Sequence, residues 1–254
     1  MNYELIIDLV KEAGKLALDN KLSSHVEMKG AADFVTEVDL SISAFLKKEL
    51  AKITPDIGFM SEEEKNDIQP RRWILDPIDG TTNLVYNYNM SSVSLALFDT
   101  DKVIFGVVHN PFNGETFTAI RGQGAWFNGK KMEKAPDRQV ADSIIEFGAG
   151  STHKDQATQT FDLAREVFEE CLDLRRICSS ALAICYIAAG RLNGYFEKVL
   201  KPWDYAAALL VLEECGGTGC DWHGNVLQYE KPTSILCGTA RVTAFLSKKV
   251  DKYI

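Results

Sequence analysis

Apolar residues at Leu5, Ile6, Leu9, Val10, Ala13, Leu16 and Ala17 recur at the spacing of one helical face, which predicts an amphipathic helix over residues 3–21. Polar, glycine-bearing sequence follows at Lys29-Gly30-Ala31-Ala32-Asp33. A second helix is predicted from Glu37 to Ile53, with Val38, Ile42, Phe45, Leu46 and Leu50 on one face and Thr36 as its N-cap. The pattern then shortens. Trp73-Ile74-Leu75 reads as a strand that stops at Asp76-Pro77. Residues 93–98 and 103–108 are β-rich and flank a turn at Thr100-Asp101; residues 115–120 add a strand, and Asn128-Gly129 marks a tight turn.

Beyond Pro136 the two periods alternate. Strands are predicted at 143–147, 174–177, 195–197 and 235–237, and helices at 155–171, 180–190, 204–215 and from 239 to about 253. The expectation is an α+β first half with a mostly antiparallel sheet, residues 1–136, followed by an alternating α/β second half, residues 137–254.

Composition narrows the class. With 254 residues, 46% hydrophobic and 25% charged, the chain is long enough for a substantial core and reads as a soluble globular protein. The net charge of −8 argues against direct nucleic-acid or membrane binding. It leaves a phosphorylated substrate open, because bound cations can reverse the local field. The first twenty residues lack a signal-peptide pattern, and no apolar run reaches the ~20 residues that span a bilayer, so a cytoplasmic location is expected. Six cysteines, none in a C-x-x-C pair, are expected to be reduced and buried. Four scattered histidines give no zinc spacing, and Gly106, Gly122 and Gly124 form no phosphate-loop motif.

The segment Asp76-Pro77-Ile78-Asp79-Gly80-Thr81-Thr82-Asn83 carries the chemistry. Read locally, Asp-Pro and Asp-Gly are turn dipeptides. Read together, two carboxylates and the Ile78 carbonyl follow an apolar strand as hard oxygen donors suited to Mg²⁺. Gly80 admits close backbone approach, and Thr81 and Thr82 can open a helix whose amides face an anion.

This string resembles the first signature of the inositol monophosphatase family. Trp203-Asp204-Tyr205-Ala206-Ala207-Ala208, running on to Glu214-Cys215-Gly216-Gly217, is similar to its second, and the organisation fits over essentially the whole chain. The resemblance implies a layered αβαβα sandwich with the site between its halves. It implies two or three Mg²⁺ ions held by Glu62, Asp76, the Ile78 carbonyl, Asp79 and Asp204, with most ligands in residues 1–136. Gly80 and Thr81 match phosphate-binding positions. Asp39 matches the partner of Thr81 in orienting the attacking water, and Glu63 stands in the catalytic set beside Glu62. Ser179, Ser180 and Glu197, with Asp79, match substrate contacts, and Lys29 a mobile-loop lysine near a further metal position.

Several of these residues also have plain local readings. Ser61-Glu62-Glu63-Glu64 is an acidic run of the kind that is usually solvated. Asp39 has capping-box spacing from Thr36. Asp204 opens an apolar helix as an N-cap would, and Lys29 reads as surface charge. The sequence departs from the family at Ser61 and Cys178, both usually glycine, and at Leu84, usually aromatic. The implied activity is hydrolysis of inositol monophosphate or a similar polyol or sugar phosphate by a homodimer. Fructose 1,6-bisphosphate and 3′-phosphoadenosine 5′-phosphate are alternative substrates. Association with the transcription machinery is the alternative of another class.

Overall fold

The computed structural model describes residues 1–19, 26–30, 33–64, 68–150 and 152–254, and for 26–30 and 33–35 only the course of the backbone. Helix α1 (Tyr3–Gly14) starts behind Asn2, whose side chain accepts the Leu5 N–H at 3.3 Å. It buries Ile6, Val10 and Ala13, then tightens into a 3₁₀ turn, Lys15–Leu18. The helical run therefore stops short of residue 21, and Leu5 faces solvent rather than the core. Strands β1 (Val26–Gly30) and β2 (Asp33–Thr36) form an antiparallel pair that the sequence reading left as polar, glycine-bearing chain, although Val26-Glu27-Met28-Lys29 alternates apolar and polar. Helix α2 (Glu37–Ile53) has the expected bounds and buries Val38, Ile42, Leu46 and Leu50 as one stripe.

Strands β3 (Gly58–Ser61) and β4 (Arg71–Asp79) pair in parallel, and a short helix, α3 (Thr81–Val85), leaves the end of β4. Strands β5 (Ser92–Asp99), β6 (Lys102–Asn110), β7 (Glu115–Ile120), β8 (Gly124–Phe127) and β9 (Lys130–Lys131) continue antiparallel, in the order β3-β4-β5-β6-β7-β8-β9. The turns carry positive φ at Asn128, 48°, and Gly129, 76°, residue types that tolerate it, and at Thr100, 62°, where a β-branched side chain is strained. One expectation needs correcting. β4 does not end at Leu75: it pairs with β5 through Asp76 opposite Ser94, slips, and resumes with Asp79 opposite Ser92. Pro77 has no N–H to give the ladder, so the strand bulges across Pro77-Ile78 instead of terminating.

The second sheet contains β10 (Ile144–Phe147), β11 (Asp173–Arg175), β12 (Gly194–Leu200), β13 (Thr218–Cys220) and β14 (Thr233–Gly238), in the order β11-β10-β12-β14-β13. β10 runs parallel to β11 and β12, and β14 runs antiparallel to β12 and β13. With it come helices α4 (Ala157–Phe168), α5 (Ser180–Ala188), α6 (Pro202–Glu214) and α7 (Ala240–Val250).

Three apolar clusters stack these elements into five layers. α1 and α2 cover one face of the large sheet through Trp73, Leu75, Leu95 and Phe105. α5 and α6 fill the space between the sheets, against Ile74, Ala96 and Phe117 on one side and Tyr195, Ile235 and Cys237 on the other. α4 and α7 close the outer face over Ile145, Phe196 and Leu236. This is the expected αβαβα sandwich. The central helices explain their own composition: every residue of α5 from Ala181 to Ala188 is buried, so no polar stripe survives. Packing there is tight enough that a Cβ on Gly106 of β6 would stand 2.7 Å from the Ala207 carbonyl oxygen.

Two further corrections concern α6 and the thiols. α6 begins at Pro202, whose missing N–H is harmless in a first turn. Asp204 is thus its third residue and not its N-cap, although its Oδ2 still accepts the Lys201 N–H at 2.7 Å. Six free thiols are present, but only Cys185, Cys215 and Cys237 are buried; Cys178 is exposed.

Candidate active site

A cleft of about 400 Å³ opens between the halves, lined among others by Glu62, Asp79, Gly80, Thr81, Glu197 and Asp204. Three elements deliver its carboxylates. The bulge at the end of β4 turns Asp76 and Asp79 inward, the segment after β3 supplies Glu62, and the first turn of α6 supplies Asp204. Asp76 and Asp79 are buried, at 2% and 6% exposure, whereas Asp204 is partly open to the cleft.

Each carboxylate has local donors. Asp76 Oδ1 accepts the Ile78 N–H at 3.1 Å. Asp79 crosses to the start of α5: Oδ1 accepts the Ser180 N–H at 3.1 Å, while Oδ2 accepts the Ala181 N–H at 2.9 Å and the Ser179 hydroxyl. Ser179, matched to substrate contact in the sequence, therefore spends its hydroxyl on Asp79. Ser180 Oγ lies 2.9 Å from the Tyr195 hydroxyl, which donates to Glu197.

The three glutamates after Ser61 separate clearly. The Glu62 charge bears on both Asp76 and Asp204, the Glu63 charge on Asp39, and Glu64 pairs with Lys47. Asp39 accepts the Thr36 N–H at 2.8 Å, as its capping reading requires. It also lies 3.4 Å from the Thr81 hydroxyl, which donates to the Ile78 carbonyl at 3.0 Å. Capping and site geometry coexist in one carboxylate, which has lone pairs for both. The side chain of Lys29 lies outside the described residues.

The electrostatics are those of crowded anions. Burial first, then Glu62, Asp79 and Asp204, push the Asp76 carboxyl well above the usual range. Burial and Glu62 do the same to Asp204. Burial raises Asp39 to about 6 against the Thr36 hydrogen bonds, and Asp79 to about 6 against its Ser179, Ala181 and Ser180 donors. A cluster of desolvated carboxylates with raised pKa is what a dication compensates, and an all-oxygen donor set suits a hard one. Among the described residues no three acidic, histidine or cysteine side chains stand as close as in a closed metal cage.

Two cleft residues escaped the sequence reading. Glu146 of β10 is 2% exposed and faces the cleft; burial raises it to about 7. Tyr195 of β12 stands opposite Glu146 in the ladder and anchors Glu197, whose carboxyl burial also raises to about 7. A lone glutamate inside the apolar run Ile144-Ile145-Glu146-Phe147 was the available signal, since charged residues are seldom fully buried without a task.

Comparison with known proteins gives the family and the fold. The sequence model of the inositol monophosphatase family matches residues 2–254. The inositol-1-monophosphatase of Rhizobium meliloti (strain 1021) is 34% identical over 258 residues, covering 98% of this chain and 96% of that protein. Nus factor SuhB of Escherichia coli (strain K12) is 35% identical over 255 residues, covering 98% and 95%. Among solved structures, the extragenic suppressor protein suhB from Bartonella henselae superposes with a TM-score of 0.92 at 32% identity, over 99% of both chains. An IMPase/NADP phosphatase complexed with Mg²⁺ and phosphate gives 0.87 at 26% identity, over 98% of this chain and 94% of that one.

Proposed function

Because this chain belongs to the inositol monophosphatase family, we propose that it is a Mg²⁺-dependent phosphomonoesterase that hydrolyses inositol monophosphate or a similar polyol or sugar phosphate. The observation that carries the reading is the approach of Glu62, Asp79 and Asp204, from both halves of the chain, to one cleft, with Asp76 buried behind it within reach of all three charges. On this reading residues 1–136 and 137–254 act as two subdomains sharing a site, in a cytoplasmic homodimer.

Glu62, Asp76, the Ile78 carbonyl, Asp79 and Asp204 would hold two or three Mg²⁺ ions, which supply a low-pKa water and charge neutralisation at phosphorus and the leaving oxygen. The chain's own groups do the rest. The amides of Gly80 and Thr81 bind the phosphate. The Thr81 hydroxyl and Asp39 orient the water for in-line attack, with Glu63 acting on Asp39 through its charge. Glu197, braced by Tyr195, takes substrate hydroxyls, with Ser180 beside it.

Asp76→Asn should lower kcat by orders of magnitude while circular dichroism stays native; near-normal turnover would remove the assignment. Single-turnover hydrolysis in ¹⁸O-water should place the label in phosphate with no phosphoryl-enzyme trapped. Comparing kcat/KM across inositol monophosphate, fructose 1,6-bisphosphate and 3′-phosphoadenosine 5′-phosphate separates the substrates.

The likeness to Nus factor SuhB favours a second reading, in which the chain also joins the transcription machinery. Affinity capture with the Asp76→Asn variant tests it. Retention of RNA polymerase components together with negligible turnover of every ester by the native protein would make binding its main duty.

A further inference from the structure

The Ile177–Cys178 turn deserves a mechanical explanation. Cys178 holds φ = 61°, in the left-handed region where a side chain with a Cβ is strained, and it immediately precedes the Ser179, Ser180 and Ala181 donors that grip Asp79. The turn is held from two directions. From the first half of the chain, the Asn83 amide donates to the carbonyls of Ile177 at 2.8 Å and Cys178 at 3.4 Å. Gly80 packs against the same turn, where a Cβ would come 3.0 Å from the Cys178 oxygen. From the second half, Glu146 Oε1 accepts the Ile177 N–H, and the Cys178 amide also favours its charged form. Glu146 Oε2 is buried and has no hydrogen-bond partner among the described residues. A buried carboxylate with one oxygen unsatisfied costs stability, so what Glu146 contributes lies in the geometry it imposes and not in stabilising the fold.

We propose that Glu146 is a positioning residue for the metal-binding cleft: with Asn83 it clamps the Ile177–Cys178 turn in its left-handed form, and the turn sets the Ser179–Ala181 donors that orient Asp79. The groups behind a metal-binding carboxylate decide which of its lone pairs face the ion. Glu146 acts at one remove, through the turn and the donors it sets on Asp79. This deepens the phosphatase reading and rests on Asp79 being a metal ligand.

The test is calorimetric titration of Mn²⁺ into the metal-free full chain, with the kinetic Mg²⁺ requirement measured alongside. Glu146→Ala should raise the Mn²⁺ Kd about tenfold or more. Glu146→Gln, whose amide oxygen can accept the same N–H groups, should stay within about threefold of the native protein, and it remains informative if Glu146→Ala does not fold. Adding Cys178→Gly to Glu146→Ala should recover most of the lost affinity, because glycine adopts the left-handed turn without help. A native Kd in Glu146→Ala overturns the proposal. So does a Glu146→Gln protein as weak as Glu146→Ala, or a double variant no tighter than Glu146→Ala. Asp79→Asn serves as the separate control: unchanged Mn²⁺ affinity there removes the ligand assignment itself, and this proposal with it. Weakened Asp79→Asn beside native-like Glu146→Ala removes the Glu146 proposal alone.

Discussion

Replacing Asp39 by asparagine should make the metal-free protein more stable while crippling catalysis. Asp39 is 1% exposed, and burial lifts its pKa from 3.8 to about 6 even though Thr36 donates to it. The folded state thus holds the Asp39 proton more tightly than the unfolded chain. The sign follows directly. Below pH 4 the group is protonated in both states and costs nothing. As pH rises from about 4 to 6 the unfolded chain ionises first, and the folded protein loses stability until both states are ionised. At about 1.4 kcal/mol for each unit, the penalty reaches about 3 kcal/mol above pH 6. Asparagine has the shape of the protonated acid and carries no such penalty. For a chain of this length, a gain of that size raises Tm by roughly 5–10 °C at pH 8 in EDTA. The gap should shrink as pH falls toward 4, while kcat in saturating Mg²⁺ drops by about 10²–10⁴ through loss of water orientation. Differential scanning calorimetry across pH checks the first part and steady-state kinetics the second. A metal-free Asp39→Asn protein that melts at or below the native temperature at pH 8, or a gap that ignores pH, would refute the reasoning.

Other substitutions probe the scaffold around the cleft. Gly106→Ala forces a methyl against the Ala207 carbonyl, 2.7 Å from the built position, and should cost about 1–3 kcal/mol in urea denaturation. Cys178→Gly relieves a left-handed cysteine and should add about 1 kcal/mol by the same measurement, provided Glu146 is intact. Gly148→Ala places a Cβ 1.8 Å from Glu197 Oε2, so the carboxylate must swing away. Its KM for a polyol phosphate should rise about tenfold, with the thermal melt little changed.

Much of this arrangement can be read from local pattern, and the rest depends on what touches what. The bounds of α2 follow from periodicity, because a single stripe was buried intact; β7 also has the expected bounds, although Thr116 and Phe117 are buried in succession and its two faces do not alternate cleanly. β4 was cut short at Asp76-Pro77 because proline signals a stop locally, whereas Ser92 beyond the bulge lets pairing resume. β13, only Thr218–Cys220, is too short to show a period. In the cleft, the Asp76–Asn83 string is visible by itself. Glu62 needed the family resemblance to be chosen from three glutamates, and the structure separates them by their neighbours. Glu146 and Tyr195 lie 49 positions apart in sequence. Only the parallel pairing of β10 with β12 brings them side by side, and no local spacing encodes that pairing.

The slab made by α5 and α6 also acts as a spacer. Sheets press on it from both sides, so a longer side chain at Ala206, Ala207 or Ala208 has no free direction in which to relax. Added volume there must push one sheet away from the other. Since the carboxylates at the mouth are mounted partly on the large sheet and partly on the spacer, the gap between opposing anions is gauged by methyl groups deep in the interior. Remote changes in core volume should therefore be felt at the mouth as altered cation fit, ahead of any loss of fold.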